Sequence, residues 1–425
     1  LGYRRTAAEM AEVVSQRNTL ERRFYTDHLT DMPNIQWLTT YAASDASKQV
    51  RSVVQVTLSD LDSLDDLHGE GTAEVVVKTF SKRLNGIDNI FLVHSGRGDF
   101  ILGFDSELTR GAEQLDAVQY VLSHPVKVGE STVVVNSYVG ALNRESAASS
   151  NMSIEEMVAG VDLAVQQAEA TGMRGEVVFY DNDMRLAEEH KVDITLLLKS
   201  AIDSEDFIVL YQPQIDVATS EVVGYEALVR LRNDKYSPEQ FIPIAEENGQ
   251  IVELDRIVTK KVVQRLATWK KRKQRIRPIS INFSYEQLCD EEYLSYLTSL
   301  LDEYGVARKL IRVDVRESLF VNDGERARSF VDKLYKAGFG VAIDGFGAGY
   351  ASIPHVMRIP VDAVKFDRAL TEVFLAGGAN EDVIASLVSL AHEAHKLVVI
   401  EGVETIQQLK MCRNMGCDVV QGFFF

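Results

Sequence analysis

The sequence is poor in cysteine and lacks a long apolar run. Only three cysteines, Cys289, Cys412 and Cys417, occur among 425 residues, and none forms a CxxC pair. This pattern predicts neither a disulfide framework nor a zinc site, and it favours a reducing, cytoplasmic location. No run of about 18 consecutive apolar residues is present, so we expect no segment of this sequence to span a membrane.

The sequence also lacks an excess of positive charge. It has 45 Lys and Arg against 63 Asp and Glu, which gives a net charge of -18. We therefore expect no nucleic-acid partner, because a phosphate backbone requires a basic surface. A small anionic ligand held by local donors remains open. The hydrophobic share of 46% and the charged share of 25% are typical of a globular protein, and the length allows two or three domains.

Both ends of the sequence suggest a fragment. It begins at Leu1 rather than Met and ends on the apolar run QGFFF at 421–425. We expect a longer protein, and this part could be the cytoplasmic portion of a membrane-anchored one. Residues 1–26 predict a helix, because apolar residues recur near helical spacing. A packing role and a signalling coiled coil both remain open for this helix.

Residues 27–181 mix strand and helix patterns. Helices are predicted at 72–84 and 157–172. Short β-branched or aromatic runs bounded by Gly, Asp or Asn predict strands at 53–58, 89–93, 99–104, 132–142 and 176–181. The combination favours an α+β domain with helices on one face of the sheet.

After a polar helix at 182–203, which we interpret as a linker, the pattern becomes a repeated strand followed by a helix. Helices are predicted at 251–269, 325–337 and 381–395. Strands are predicted at 207–217, 223–231, 278–283, 311–316, 340–344, 362–366, 397–401 and 417–424. This alternation over 204–425 predicts an α/β TIM-like (β/α)8 barrel.

Polar side chains stand near the ends of most predicted barrel strands. In a barrel these ends share one face, where catalytic groups collect. Converging carboxylates require a cation, and oxygen ligands suit Mg2+ or Mn2+. Such metal sites act on phosphate esters. The residues are Glu226, Arg230, Asn282, Glu317, Asp344, Lys365, Asp367, Glu401, Glu404 and Gln421.

These strand ends resemble the motifs of a known family. The stretches are YQPQID (211–216), GYEALVRL (224–231), FIPIAEENGQI (241–251), SINFS (280–284), VRES (315–318), IDGFGAGYAS (343–352), VDAVKFDRAL (361–370), IEGVET (400–405) and GCDVVQGFFF (416–425). In this order they resemble the EAL domain family of bacterial cyclic di-GMP phosphodiesterases and receptors. The resemblance covers about half of the chain.

The resemblance implies roles for individual residues. Glu226, Asn282, Glu317 and Asp344 would be metal ligands, and Asp367 would belong to a second-metal and water network. Glu401, with Lys365, would activate the attacking water. Gln212, Arg230 and Gln421 would contact the dinucleotide, in a ligand site that also includes Glu226, Asp344 and Asp367. Glu404 would support a loop. Mg2+ or Mn2+ would be needed for hydrolysis but not for simple binding.

One position departs from the family pattern. Active members usually have two consecutive acids in D-D-F-G, and here the second is Gly345. The neighbouring Thr and Ser of that loop are Ala348 and Ala351. Because two metals together stabilise the attacking and leaving oxygens, losing one ligand should raise the barrier. We expect a receptor with a downstream protein partner or a homodimer, while a phosphodiesterase with altered metal use and a protein-binding scaffold remain alternatives.

Residues 24–181 resemble, more weakly, the GGDEF family of diguanylate cyclases. YTDHLTDMPNI (25–35) resembles the opening motif, and SGRGDF (95–100) stands at the signature. The metal-binding Asp of the family then falls on Thr57 and its second Asp on Ser59. The base-recognising Asn falls on Asp65 and the His on Glu70. Arg97, Gly98 and Asp99 replace G-D-E, and the inhibitory R-x-x-D falls on Asp88 and Phe91. Without acids to hold Mg2+ on GTP, this ferredoxin-like GGDEF-type domain is predicted to be inactive.

Two other motifs are better explained without a function. HEAH (392–395) lacks the spacing of a zinc motif. The basic run WKKRKQRIRP (269–278) is typical of a helix C-terminus, where positive charge is favourable, although contact with a partner or a membrane surface remains open.

Overall fold

The computed structural model describes residues 23–145, 152–347, 358–367, 370–371 and 381–425. The chain divides into two compact units, Leu1–His190 and Lys191–Phe425. Of the predicted N-terminal helix, residues 1–22 lie outside the described residues and residues 23–25 are helical. Within the described part, no helix is both long enough and apolar enough to cross a membrane.

The first unit is an α+β domain, as predicted. Its described helices are α1 (Ile35–Ala42), α2 (Leu61–His68), α3 (Thr72–Leu84), α4 (Glu113–Ser123) and α5 (Ile154–Ala170). Its strands are β1 (Ser52–Leu58), β2 (Phe91–Gly96), β3 (Asp99–Phe104), β4 (Val126–Val128), β5 (Ser131–Val133), β6 (Ser137–Asn143) and β7 (Val177–Phe179). Five strands form one sheet in the order β2-β3-β1-β6-β7, and β4 pairs with β5.

Helices cover both faces of this sheet, which corrects the expectation of a single covered face. On one face, Val54 and Val56 of β1 pack in a core with residues of α2, α3 and α4. On the other face, Val53 packs with residues of α1 and α5. The physical reason is that β1 carries apolar side chains on both faces, Val53 on one and Val54, Val56 and Leu58 on the other, so neither face can be left to solvent.

The predicted strand 132–142 is two strands. Its first part, β5, forms a hairpin with β4, whereas its second part, β6, pairs with β1 and β7. Val134, in the connection between them, is 77% exposed despite its β-branched side chain. The run of valines therefore indicated strand propensity without showing the change of partner.

The second unit is a closed eight-stranded barrel, which confirms the predicted fold. The helix α6 (Asn182–Asp203) leads into it and contains the boundary between the units. The strands are β8 (Phe207–Asp216), β9 (Val222–Leu231), β10 (Ile279–Phe283), β11 (Ile311–Arg316), β12 (Gly340–Phe346), β13 (Ala363–Phe366), β14 (Leu397–Ile400) and β15 (Val419–Val420). The described helices are α7 (Pro238–Glu247), α8 (Ile251–Lys271), α9 (Tyr285–Leu288), α10 (Tyr293–Tyr304), α11 (Leu319–Asn322), α12 (Gly324–Lys336), α13 (Glu381–Glu393) and α14 (Ile406–Asn414).

The first barrel strand runs against the others. β8 is antiparallel to both of its neighbours, β9 and β15, while the remaining pairs are parallel. The connection from β8 to β9 covers only 217–221, with Ser220 in the left-handed region at φ 59°. So short a connection can join only antiparallel strands, because a parallel crossover needs a dozen or more residues.

Strand alternation places polar groups above a small apolar layer inside the barrel. Ala342, Ala363, Val399 and Val419 form one buried cluster. Two residues further along the same strands come Asp344, Lys365, Glu401 and Gln421. Because side chains two apart on a strand point to the same side, the alternation predicts that these polar groups share the interior one level above the apolar layer. The predicted last strand 417–424 is shorter than expected, since only Val419–Val420 pair with a neighbour.

Candidate ligand and metal site of the barrel

A buried ammonium lies at the centre of the site. Lys365 of β13 is 1% exposed, and its Nζ lies 2.8 Å from Glu401 Oε1 and 2.9 Å from Glu226 Oε2. Asp314 Oδ2 lies 3.2 Å away and Asp344 Oδ1 lies 3.4 Å away. Five strands thus bring four carboxylates to one cation, which is possible only because the strand interiors converge in the barrel.

Amide side chains fix the orientation of Glu226. Gln421 Nε2 donates to Glu226 Oε2 at 2.7 Å and to Gln212 Oε1 at 2.8 Å, and Asn282 Nδ2 donates to Glu226 Oε1 at 3.1 Å. Gln214 Nε2 donates to Gln421 Oε1 at 3.2 Å. With its oxygen accepting from Gln214, the Gln421 amide presents its NH2 group to Glu226.

The cluster shifts the protonation of its members. Burial acts to lower the pKa of Lys365, but the negative charges of Asp344, Glu226, Asp314 and Glu401 more than offset it, and this pKa lies well above its usual value. Burial acts to raise the pKa of Glu226, and the opposing charge of Lys365 with the amide hydrogen bonds brings it below the usual value. A protonated Lys365 beside an ionised Glu226 is therefore the stable pair.

Two carboxyl groups of the cluster have raised pKa values. Burial, only partly opposed by Lys365, raises the pKa of Asp314 to about 6 and that of Glu401 to about 7. Like charges nearby add to the shift. A carboxyl group that titrates near neutral pH can accept a proton from water, which is what a general base requires.

The loop after β12 is held by its backbone. Glu317 Oε2 accepts a hydrogen bond from Gly347 N at 3.1 Å, and Glu317 N donates to Asp344 O at 2.9 Å. Gly345 and Gly347 have φ of 71° and 94°, in the left-handed region that favours glycine. The structure thus shows Glu317, a predicted metal ligand, supporting this loop. Ala348 and Ala351 lie outside the described residues.

The remaining predicted residues lie near the same end of the barrel. Asp367 follows β13, and its backbone N donates to Phe346 O at 3.0 Å. Arg230, at the end of β9, donates from Nη1 to Val229 O at 2.8 Å. Glu404 is exposed and its backbone N donates to Gln408 Oε1 at 2.7 Å.

Asp314 belongs to the cluster, although it is not among the residues predicted from the sequence. It is 1% exposed, and neither of its carboxylate oxygens accepts a hydrogen bond from a described residue. The predicted residues stand at strand ends, whereas Asp314 lies inside β11 opposite Asn282 in the parallel register. The available signal was an acid at an interior position between Val313 and Val315.

A half-buried acid on a helix lies near Arg230. Asp255 of α8 lines a cavity of about 80 Å3 together with Arg230, Asn282, Ser284 and Arg316. Burial raises the pKa of Asp255 to about 8, although Ser284 Oγ donates to its Oδ2 at 3.0 Å. Asp255 is therefore largely protonated at neutral pH, and its position on a helix gave no sequence signal.

The donor set fits an oxygen-preferring divalent cation. Glu226, Asp314, Asp344 and Glu401 supply carboxylates, Asn282 supplies an amide, and the buried Asp314 oxygens have only the Lys365 ion pair described above. In the described residues, however, no three acidic, His or Cys side chains are already arranged around a metal position. Lys365 accounts for this difference, since its ammonium lies among the carboxylates and balances their charge.

The comparison with known families concerns the same part of the chain, the barrel. A family model described as "EAL domain" matches residues 197–425, which is more than half of the chain. The chain belongs to the EAL domain family. The chain is also 27% identical over 410 residues to "Cyclic di-GMP phosphodiesterase PdeR" of Escherichia coli, with 94% of this chain and 61% of that protein covered. It spans about half to three fifths of the length of the first curated relatives it matches.

Solved structures share the fold of the EAL domain and of the whole chain. "PaMucR Phosphodiesterase, c-di-GMP complex" has 25% identity and a TM-score of 0.52, covering 55% of this chain and 95% of that one. "Vibrio cholerae LapD S helix-GGDEF-EAL (bound to c-di-GMP)" covers 97% of this chain and 99% of that one, with a TM-score of 0.51. Because only 16% of the residues are identical, this match shows a similar fold and nothing more.

In the unit before the EAL domain, Thr57, Arg97, Gly98 and Asp99 lie at the β2–β3 turn, whereas Asp88 and Phe91 lie at the opposite end of β2. Thr57 pairs with Asp99, and Leu58 N donates to Gly98 O at 3.0 Å. Arg97 forms an exposed ion pair with Asp62 at 2.8 Å. Asp65 Oδ1 accepts from Ala73 N at 2.9 Å. Of the other positions, Ser59 is half-buried, Glu70 and Asp88 are exposed, and Phe91 is buried.

Proposed function

We propose that this chain is a cyclic di-GMP receptor, in which the EAL domain binds the dinucleotide and does not hydrolyse it at an ordinary enzymatic rate. The observation that carries the proposal is Gly345. The position beside Asp344 has no carboxylate, while Glu226, Asn282 and Asp344 are retained in the cluster. Loss of an acid at a two-metal site weakens hydrolysis more than binding.

The groups proposed to bind the ligand are polar and face the same end of the barrel. Arg230 would pair with a phosphate, because a guanidinium offers a planar set of donors to phosphate oxygens. Gln212 and Gln421 hydrogen-bond to each other at 2.8 Å and could exchange that bond for one to the dinucleotide. Support comes from the solved relative described as a cyclic di-GMP complex.

A metal-dependent phosphodiesterase is the second candidate. The favouring observation is the contact of 2.8 Å between Lys365 Nζ and Glu401, whose pKa is about 7. Glu401 could accept a proton from water while Lys365 keeps it oriented. The cluster carboxylates with Asn282 would hold Mg2+ or Mn2+, with Asp367 and Glu317 as further candidates. When bound, the metal would supply positive charge to a phosphoryl oxygen.

We propose that the first unit is a GGDEF-like domain without cyclase activity. Thr57 and Gly98 stand where the resemblance expects acids that hold Mg2+ on GTP. This unit would pass the signal of the bound EAL domain to a protein partner or to a second copy of the chain.

One experiment separates the candidates. The chain is titrated with cyclic di-GMP in a calorimeter, with Mg2+, with Mn2+ and with a chelator, and products are then separated by chromatography. Binding without linear pGpG supports the receptor, whereas turnover at an ordinary rate supports the enzyme. Absence of both supports a protein-binding scaffold.

A pair of variants tests where the ligand binds. Arg230→Gln should weaken affinity by about tenfold or more, the equivalent of one lost charge-assisted hydrogen bond. Arg275→Gln removes an exposed arginine that is paired with Glu221 and should leave affinity unchanged. Equal affinity of both variants would contradict the proposed site.

A further inference from the structure

Two cysteines lie at the end of one helix. α14 ends at Asn414, and the chain turns at Gly416, whose φ is 77°. Cys417 N donates to Cys412 O at 3.0 Å, and Gly416 N donates to Arg413 O at 3.2 Å. These two nested hydrogen bonds, closed by a left-handed glycine, are those of a Schellman helix end.

This turn places the side chains of its first and last residues against each other. The contact is usually between two apolar side chains. Here both are thiols, Cys412 at 0% and Cys417 at 6% exposure, and they are hydrogen-bonded to each other. Both residues belong to the large apolar core of the second unit. A thiol pair fills the space of an apolar contact and also has a chemical reaction open to it.

We propose that Cys412 and Cys417 are a modification site, a dithiol that a peroxide converts into an intramolecular disulfide. The helix end holds the two residues with their backbones hydrogen-bonded, so that the bond can form without rearranging the chain between them. Disulfides need Cα atoms about 4.4–6.8 Å apart, and the backbone hydrogen bond from Cys417 to Cys412 holds the two residues next to each other.

The hydrogen bond between the thiols also assigns their roles. It lowers the pKa of Cys412, against the effect of burial, and it raises the pKa of Cys417 in the same direction as burial. The Cys412 thiolate attacks a peroxide oxygen and becomes a sulfenic acid, and the other peroxide oxygen leaves as water or alcohol. The Cys417 sulfur then attacks the Cys412 sulfur, and hydroxide leaves with the Cys417 proton as water. The two thiols lose two electrons and the peroxide gains them.

Burial determines the rate of this reaction. Buried thiols are inert while they stay buried. α14 has nine residues, most of them at least partly exposed, and Cys412 is its buried residue. Local opening of so short a helix exposes both thiols at once. We therefore expect oxidation of the pair to be slower than oxidation of the exposed Cys289.

The test uses the whole chain carrying Cys289→Ser, so that only the pair can react. The protein is treated with hydrogen peroxide, unfolded, and alkylated, and its mass is measured. We expect both thiols to become resistant to alkylation together, with the loss of two hydrogens and no added oxygen. Dithiothreitol should restore both. If both thiols still alkylate in full, or if the product links two chains, the proposal is overturned.

A matched variant separates a disulfide from simple oxidation. Cys289→Ser/Cys417→Ser leaves Cys412 without a resolving thiol, so a sulfenic acid that dimedone traps should replace the disulfide. Cys289→Ser/Cys412→Ala leaves Cys417, whose pKa burial alone still raises, and it should react more slowly than Cys412 does in the first variant. Circular dichroism shows whether each variant is folded, and the first test does not depend on them.

Discussion

At the scale of single residues, Lys365 and the four carboxylates around it form a charge balance that each member depends on. A buried carboxylate without a partner is costly, and a buried pair that loses one member leaves an uncompensated charge. The same ammonium thus stabilises the folded barrel and occupies the position between groups that could hold a cation. A divalent cation entering this site would compete with Lys365 for the same oxygens.

Gly345 offers the sharpest change at this scale. Gly345→Asp should raise cyclic di-GMP hydrolysis about tenfold or more with Mn2+ or Mg2+, because it restores a metal-binding acid, and tenfold corresponds to about 1.4 kcal/mol of barrier. An added Cβ meets no atom within 4 Å, and Asp is among the residues that tolerate a left-handed φ. The measurement is the rate of pGpG formation.

Gly345→Asn is the control for this change. It has the shape and the backbone strain of the Asp variant but no charge, so it should stay at the rate of the unchanged protein. If both variants hydrolyse equally, or if neither does, the missing carboxylate is not what limits the reaction.

Asp255 gives a pH dependence whose sign is set by its raised pKa. The pKa is about 8 in the folded protein and 3.8 without the fold. The folded state therefore holds a proton that the unfolded state releases, and the stability from this group is lost as pH rises from about 4 to about 8. Relative to Asp255→Asn, the unchanged protein should lose about 1.4 kcal/mol of unfolding free energy per pH unit in this range.

Urea unfolding at several pH values measures this slope. Asp302→Asn serves as the comparison, because the side chain of Asp302 is 69% exposed. That variant should keep the pH slope of the unchanged protein. A parallel pH dependence for Asp255→Asn and the unchanged protein would show that Asp255 is ionised when folded.

The sequence predicts four members of the cluster but not Asp314, and it gives no sign of Asp255, which lies outside the cluster. Glu226, Asp344, Lys365 and Glu401 stand near strand ends, where the barrel pattern directs attention. Asp314 lies within a strand, and only the alternation of side chains marks it as interior. Asp255 lies on a helix, and its burial depends on the packing of α8 against β10, which no local pattern contains.

At the scale of elements, the turn between β2 and β3 leaves no room for a long acidic side chain at Gly98. At Gly98 an added Cβ would lie 2.7 Å from Leu61 Cδ1 and 3.0 Å from the backbone oxygen of Leu58. The turn is packed against the end of β1 and the start of α2. An acidic side chain there would have to displace this contact.

Gly98→Glu should therefore destabilise the protein by about 1–3 kcal/mol, the usual range for overpacking, and should not create cyclase activity. Gly96→Glu is the matched control, because an added Cβ at Gly96 meets no atom within 4 Å. It should change the unfolding free energy by less than about 0.5 kcal/mol. Thermal unfolding and a GTP conversion assay measure the two effects, and cyclase activity in Gly98→Glu would contradict the proposal that this unit cannot hold the metal on GTP.

The element pattern was largely predictable, and its exceptions have physical causes. The strand predicted at 311–316 is β11 and the helix predicted at 72–84 is α3, since each combines one clear periodicity with clear ends. The antiparallel direction of β8 was not predicted, although the five residues from 217 to 221 contained the signal. The split of 132–142 depends on which strands pair, a tertiary property.

At the scale of the whole molecule, each unit has its own apolar core. The first has cores on both faces of its sheet, and the second has a large core between the barrel and its helices. A fragment of residues 182–425 should therefore fold alone and bind cyclic di-GMP within about threefold of the whole chain's affinity, a difference below about 1 kcal/mol.

Calorimetry on the two proteins measures this difference. A fragment of residues 27–181 serves as the control and should show no binding in the same titration. A large loss of affinity in the barrel fragment would show that the first unit takes part in ligand binding.

The pairing of β8 with β15 also has a consequence for how the protein is made. Val420 pairs with Ile215, so the ring cannot close until the ribosome has added about two hundred residues after β8. During that time the first unit, whose core lies within its own residues, can fold outside the ribosomal exit tunnel. Glu226 is translated before Lys365 and Gln421, so its carboxylate stays solvated until these two partners have been added. The charge cluster is thus completed only when Lys365 and Gln421 have been translated, and errors in synthesis of these segments leave an open sheet with an acid facing its interior.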